Sequence, residues 1–344
     1  MIARTLGDVQ AGLLSATFYT LVPYAFFFER MALADAWAGL IATGMVWVAI
    51  RFARRPTWRT AFWVGVFMAL TPAAKLTMAF MAAIPAPAVL LLGRYRSLSD
   101  LWRRYGLRSF FALLVTALLW MLVLVPAVIE NLSGGPDYIL FDNHLVGVAT
   151  ESQTLGEKLG EWWEKQALLM SVPLTVFWLV AWPFALLQQP RRLGLLLSWL
   201  ALAWFATFFV IAPGSFQSRY LMAGFPAVAV TLGVGGLVLL RVVTEQLAHS
   251  QARALAWGGF VLALVFWAAG FALPFAQQAS TDPAALHLPP QDEKRLPGRL
   301  VQWLRFAGCR PISERPGRQR NALHHQQHAL LPAHRILCAG PVGV

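Results

Sequence analysis

The sequence predicts an all-α, multi-pass transmembrane helical bundle of about nine spans. Three observations predict it. Hydrophobic side chains make up 58% of the 344 residues and charged ones only 13%, whereas a soluble globular chain carries about 25% charged residues. Apolar runs of nearly 20 residues recur along the chain, the length a helix needs to cross a hydrocarbon core of ~30 Å. The basic residues between those runs fall on alternate loops. The two cysteines, Cys309 and Cys338, both stand late in the chain, which excludes a disulfide scaffold and a Cys-rich metal site.

Taken in order, the runs are 11–28, 32–50, 58–72, 74–92, 109–129, 167–187, 193–212, 220–240 and 254–275. The third is the shortest. Pro72 leaves it about 15 residues, or ~22 Å as a helix, so it reads as tilted, broken or partly re-entrant. With the N-terminus in the cytoplasm, the inner segments 1–10, 51–59, 93–108, 188–192 and 241–253 hold 14 Lys/Arg and three acids. The outer loops before residue 276 hold five basic residues and nine acids. This positive-inside pattern fixes one orientation for all nine spans, and omitting the third would put a basic loop on the wrong side. The net charge of +12 is therefore a topology signal, and no nucleic-acid partner is expected. Residues 1–30 do not read as a cleavable signal peptide, because Arg4 is a lone charge and no small-residue cleavage site follows the apolar run.

Two regions make up the chain on this reading: a bundle over 1–275 and a tail over 276–344. The tail is rich in Pro, Arg, His and Gln and lacks periodicity. It reads as a poorly ordered extracytoplasmic appendage, or as sequence not native to the fold, such as the product of a frameshift near residue 294. Its His324, His325 and His328 lack the surroundings of a zinc motif.

The informative charges stand at the outer ends of spans, because ionised groups within a bilayer mark sites or pathways. Glu29 and Arg30 close the first span, where a cation suits a helix C-terminus, and Asp35 opens the second. Lys75 follows Thr71-Pro72, a plausible helix start, and Arg219 opens the span 220–240. Both cations would then oppose a helix dipole, a penalty that an anionic partner removes. Cations gathered beside one carboxylate at one membrane face suggest a pocket for the phosphate of a lipid carrier.

The outer loop 130–166 carries seven acids. From Thr154 a capping box, Thr154-Leu155-Gly156-Glu157, predicts a short helix with Leu155, Leu159, Trp162 and Trp163 on one face. It should lie flat on the outer interface with its tryptophans at headgroup depth and roof a site there. Asp142 and His144, two residues apart, are candidates for contacting a sugar or a metal, against the plainer reading of a solvated loop. Gly233, Gly235 and Gly236 follow no strand and, with Ala229, signal close helix packing rather than a nucleotide loop.

Three stretches carry a resemblance: Glu29-Arg30-Met31-Ala32-Leu33-Ala34-Asp35, Ala69-Leu70-Thr71-Pro72-Ala73-Ala74-Lys75, and Ser218-Arg219-Tyr220-Leu221-Met222-Ala223-Gly224-Phe225-Pro226. In order, spacing and side they resemble motifs of the GT-C fold membrane glycosyltransferases related to protein O-mannosyltransferases and lipid A aminoarabinose transferases (glycosyltransferase family 39-like). The resemblance covers residues 7 to about 275. It implies an inverting transfer of a sugar from a polyprenyl-phosphate donor to an extracytoplasmic protein, lipid or glycan acceptor, in a bacterial plasma membrane. Asp35 would be the catalytic carboxylate, and Arg30, Lys75, Arg219 and Tyr220 would hold the donor phosphate. No cofactor is implied with certainty, and a divalent metal stays open. The family's first acidic motif has no counterpart after Met1, since Asp8 lies on the cytoplasmic side by the charge count; the resemblance therefore implies a member shortened at its N-terminus. The competing expectation is a non-enzymatic membrane protein, a lipid or solute transporter or an inactive fragment.

Overall fold

The computed structural model describes residues 1–23, 34–132, 154–209, 218–281, 286, 310–311 and 336–337. The chain divides into two units, Met1–Pro289 and Pro290–Val344. In the second, the described residues are a two-residue antiparallel ladder, Arg310–Pro311 against Ile336–Leu337. The first unit is all-helical among its described residues.

Helix α1 (Ile2–Leu6) is followed by α2 (Val9–Leu21), which starts where the Asp8 carboxylate accepts the Ala11 N–H at 2.9 Å. Helix α3 (Ala34–Arg54) ends on Arg51 and Arg54, cations that suit a helix C-terminus. Helix α4 (Trp58–Ala74) opens with a reciprocal cap between Thr57 and Thr60. Then come a 3₁₀ segment (Leu76–Ala83), α5 (Pro85–Leu92), α6 (Leu98–Leu101), a π turn (Trp102–Gly106) and α7 (Leu107–Leu132). Helices α8 (Leu155–Met170) and α9 (Val172–Gln188) meet at 113° about Ser171. Ser171 has φ 74°, a conformation that L-residues adopt only under local constraint. Helix α10 (Pro190–Phe209) precedes a second 3₁₀ segment (Ser218–Gly224), α11 (Phe225–Glu245), α12 (Ser250–Trp267), a π turn (Ala268–Ala272) and α13 (Leu273–Thr281).

The core runs along α11, which is buried from Phe225 to Val238. Small residues let its neighbours approach. A Cβ on Gly233 would collide with the Ser15 hydroxyl of α2, and one on Gly235 would stand 3.1 Å from the Ala181 carbonyl of α9. The glycine cluster is thus a packing device, as its lack of a preceding strand implied. By contrast α12 has no buried residue, and its Leu255, Val261, Leu262, Val265 and Phe266 are all more than half exposed. A continuous apolar surface of this kind suits hydrocarbon rather than water.

Among the described residues, four helical stretches are long and apolar enough to cross a membrane: 36–54, 98–122, 218–245 and 250–281. The bent pair α8–α9 raises the number to five. Where its residues are described, each of the nine expected runs falls mainly in helix, yet several of these helices are short for a crossing. Helix α4 has 17 residues, ~25 Å of rise, and the run 74–92 is broken into a 3₁₀ segment and the eight residues of α5. The bundle also continues past 275: α13 reaches Thr281, with the Ser280 and Thr281 hydroxyls bonding back to the Ala276 and Gln277 carbonyls.

One end of the unit is stitched together by basic side chains. Arg54 and Arg192 donate to the Thr5 and Leu6 carbonyls at the end of α1, at 3.0 and 2.7 Å. Arg241 pairs with Asp8 and bonds Gln10. The buried Tyr105 hydroxyl donates to the Ala53 carbonyl and accepts the Arg94 N–H. All five segments expected on the inner side thereby gather at this end.

Candidate functional site

At the far ends of α4 and α11 from that basic cluster, the backbone is broken twice, and each break carries an expected cation. The first break follows from Pro72. Lacking an N–H, it leaves the Met68 carbonyl of α4 without its helical partner, and the Thr71 hydroxyl donates to that oxygen instead at 3.1 Å. The helix survives to Ala74, and Lys75 then takes an extended conformation, φ −163° and ψ 127°, between α4 and the 3₁₀ segment. This corrects one expectation. Lys75 does not sit in the first turn of an α-helix begun at Pro72; it follows the C-terminus of α4, where a cation is electrostatically welcome.

Arg219 and Tyr220 lie in the 3₁₀ segment Ser218–Gly224, which precedes α11 rather than forming its first turn. This segment is pinned by Trp204 of α10, whose indole N–H donates to the Leu221 carbonyl at 3.1 Å. Gly224 lies so close beneath that indole that a Cβ would collide with it.

The two breaks meet at one ring. The Lys75 ammonium stands 4.2 Å from the Tyr220 ring centroid and the Arg219 guanidinium 5.4 Å from it. Cations over an aromatic face gain roughly 0.5–2 kcal/mol each, which offsets part of their mutual repulsion. The Arg219 Nε is buried with no hydrogen-bond partner among the described residues. An anion brought to this ring would meet a guanidinium fork and an ammonium together, the combination that grips phosphate oxygens.

Of the other expected residues, Arg30, Asp142 and His144 lie outside the described residues. Asp35 is described in its backbone only, in the first turn of α3. It stands one turn before Gly39, where a Cβ would lie 3.6 Å from the Met222 carbonyl. The start of α3 therefore packs on the 3₁₀ segment that carries Arg219 and Tyr220. Among the described residues no three His, Cys, Asp or Glu side chains come together as a metal site.

The expected capping box is present: Thr154 accepts the Glu157 N–H at 3.3 Å, and the Glu157 carboxylate accepts the Thr154 N–H at 2.7 Å. The four residues expected on one apolar face of α8 divide between the surface and the interior. Leu155, Leu159 and Trp163 are exposed, but Trp162 joins Trp178 and Trp204 in a cluster with ring centroids 6.1–6.3 Å apart. The inner face is partly polar. Lys158 donates to the Phe208 carbonyl at 2.7 Å, Lys165 is buried beside Glu161, and Gln166 is buried. The long amphipathic lysines reach carbonyl and carboxylate partners on this side. Helix α8 thus lies against the same Trp204 that pins the Tyr220 segment. The three tryptophans come from three helices with no shared spacing, so no sequence signal grouped them.

No known family, curated protein or solved structure matches the chain. The class that the fold defines is an all-helical protein with several apolar helices long enough to span a membrane.

Proposed function

We propose that the protein is a membrane glycosyltransferase that moves a sugar from a polyprenyl-phosphate donor to an extracytoplasmic acceptor hydroxyl with inversion. The observation that carries this reading is the convergence of Lys75 and Arg219 on Tyr220. In the reaction, the acceptor oxygen bonds to the anomeric carbon as the bond from that carbon to the phosphate oxygen breaks. The electron pair leaves with the polyprenyl phosphate, and the acceptor proton passes to a carboxylate, the role assigned to Asp35. Lys75, Arg219 and Tyr220, with Arg30, stabilise the charge on the leaving phosphate. Asp142 and His144 are assigned to the acceptor side. The reading includes nine crossings of a plasma membrane with the N-terminus inside, which the gathering of the five basic segments supports.

The test is transfer of a labelled sugar from a polyprenyl-phosphate donor by the protein in nanodiscs. Removing a donor to a developing oxyanion costs about 10²–10³ in rate, the loss expected for Arg219→Ala. Asp35→Asn should cost about 10²–10⁴. Wild-type rates in both variants would sink the assignment. A second reading, a non-enzymatic carrier of anionic lipids or solutes, draws on both cations standing at helix breaks, as binding groups do in transporters. Arg219-dependent binding of a polyprenyl phosphate without any sugar transfer would favour it.

A further inference from the structure

The basic end holds a second concentration of cations that the proposed reaction does not use. Arg54, at the end of α3, lies within Coulombic reach of Arg192 and Arg94. Arg54 closes α3, Arg94 follows α5 and Arg192 lies in the first turn of α10. Arg54 and Arg192 are fixed by the α1 carbonyls, and Arg94 by its backbone N–H on the Tyr105 hydroxyl, which also holds the carbonyl of Ala53 beside Arg54. None of the three forms an ion pair among the described residues. The nearby carboxylates that do pair are taken: Asp8 by Arg241 and Asp100 by Arg104. Arg94 and Arg192 are exposed and Arg54 is half-buried. Each guanidinium has five N–H donors, so the few carbonyl bonds leave several unspent on every residue.

Three guanidinium groups within reach of one another, two of them held by the carbonyl oxygens of Thr5, Leu6 and the Gln189 side chain, suit a phosphate. The surroundings identify its source. The connection that carries Arg94 continues into Leu98 and Trp102, which are 81% and 77% exposed. Large apolar side chains left bare on the connection that carries Arg94 match a headgroup region, where tryptophans and arginines lie together. We propose that Arg54, Arg94 and Arg192 bind the phosphate of an anionic glycerophospholipid, with Leu98 and Trp102 lying against its acyl chains.

The experiment is native mass spectrometry of the protein exchanged from mixed nanodiscs of phosphatidylglycerol and phosphatidylcholine, counting lipids retained through detergent. Arg94→Gln is the cleanest variant, since the bond that fixes this residue is made by its backbone and folding does not depend on the side chain. Wild type should retain phosphatidylglycerol over phosphatidylcholine, and Arg94→Gln should lower that retention at least fivefold. The triple variant with Arg54→Gln and Arg192→Gln should abolish it. Arg253→Gln, which removes one charge from another connection of the same end, should leave retention unchanged. Equal losses for Arg253→Gln and Arg94→Gln would overturn the proposal, because the effect would then be diffuse charge. Displacement of the lipid by millimolar inorganic phosphate would also overturn it, by making the site one for free phosphate.

Discussion

At the scale of single residues, Tyr220 decides how the two cations can coexist. Its ring lies beside both charged groups, 4.2 Å from the Lys75 ammonium and 5.4 Å from the Arg219 guanidinium. Tyr220→Phe should therefore keep polyprenyl-phosphate affinity within about threefold, whereas Tyr220→Leu, which removes the quadrupole, should weaken it by roughly tenfold, the equivalent of ~1.4 kcal/mol. Titration of a fluorescent polyprenyl phosphate would separate the two, and equal losses would transfer the role to the hydroxyl. Lys75 and Arg219 were legible in the sequence because ionised groups near span ends lack an easy explanation. The reason attached to Lys75 was wrong in detail. Pro72 suggested a helix start, but the Thr71 hydroxyl repairs the missing hydrogen bond and lets α4 run on to Ala74. Side-chain repair of a backbone defect depends on rotamer and distance, which a residue string does not carry.

At the scale of elements, hydropathy located the long apolar helices among the described residues, because burial of apolar side chains and satisfaction of backbone groups both favour helices there. It did not reveal where those helices break. The extended residue at Lys75 and the 3₁₀ segment at Ser218–Gly224 are backbone events inside apolar stretches, and averaged hydropathy passes over them. The polar contacts of α8 were not legible for a related reason: a lysine counts as polar whether its ammonium meets water or, like Lys158, a helix-terminal carbonyl. The short α4 is the element whose role in the membrane most needs measurement. If it crosses, cysteines placed by Arg55→Cys and Ala73→Cys should react with a membrane-impermeant maleimide from opposite sides of intact vesicles. Labelling of both from the same side would make α4 re-entrant and reduce the number of crossings.

At the scale of the whole unit, the long-range ties at the basic end hold its segments in one arrangement. Asp8 joins the start of α2 to the end of α11 through Arg241. Its carboxyl is held below the usual carboxylate range, first by the Ala11 N–H and then by the Arg241 guanidinium, against the opposing effect of burial. A group with a depressed folded-state value stabilises the fold above its unfolded value, about 3.9, and loses that contribution as pH falls through the folded value. Asp8→Asn keeps the helix cap but loses the ion pair, so at neutral pH it should lower stability by under about 1 kcal/mol, as a partly exposed pair implies. The gap in Tm between the variant and wild type should close as pH is lowered through 4 and below. A gap independent of pH would mean that the pair contributes nothing.

The shared ring at the other end has a consequence for rates. Bringing two like charges together costs free energy, and here that cost is met once, as the chain folds and Tyr220 settles beside Lys75 and Arg219. On the proposed function, an arriving anion would find a field already assembled and would not wait for side chains to gather around it, so the benefit would fall on the speed of capture as well as on its strength. A ligand that drew either cation off the ring would also loosen the tie between the two helix breaks, so its departure, rather than its arrival, is the step that must restore their alignment.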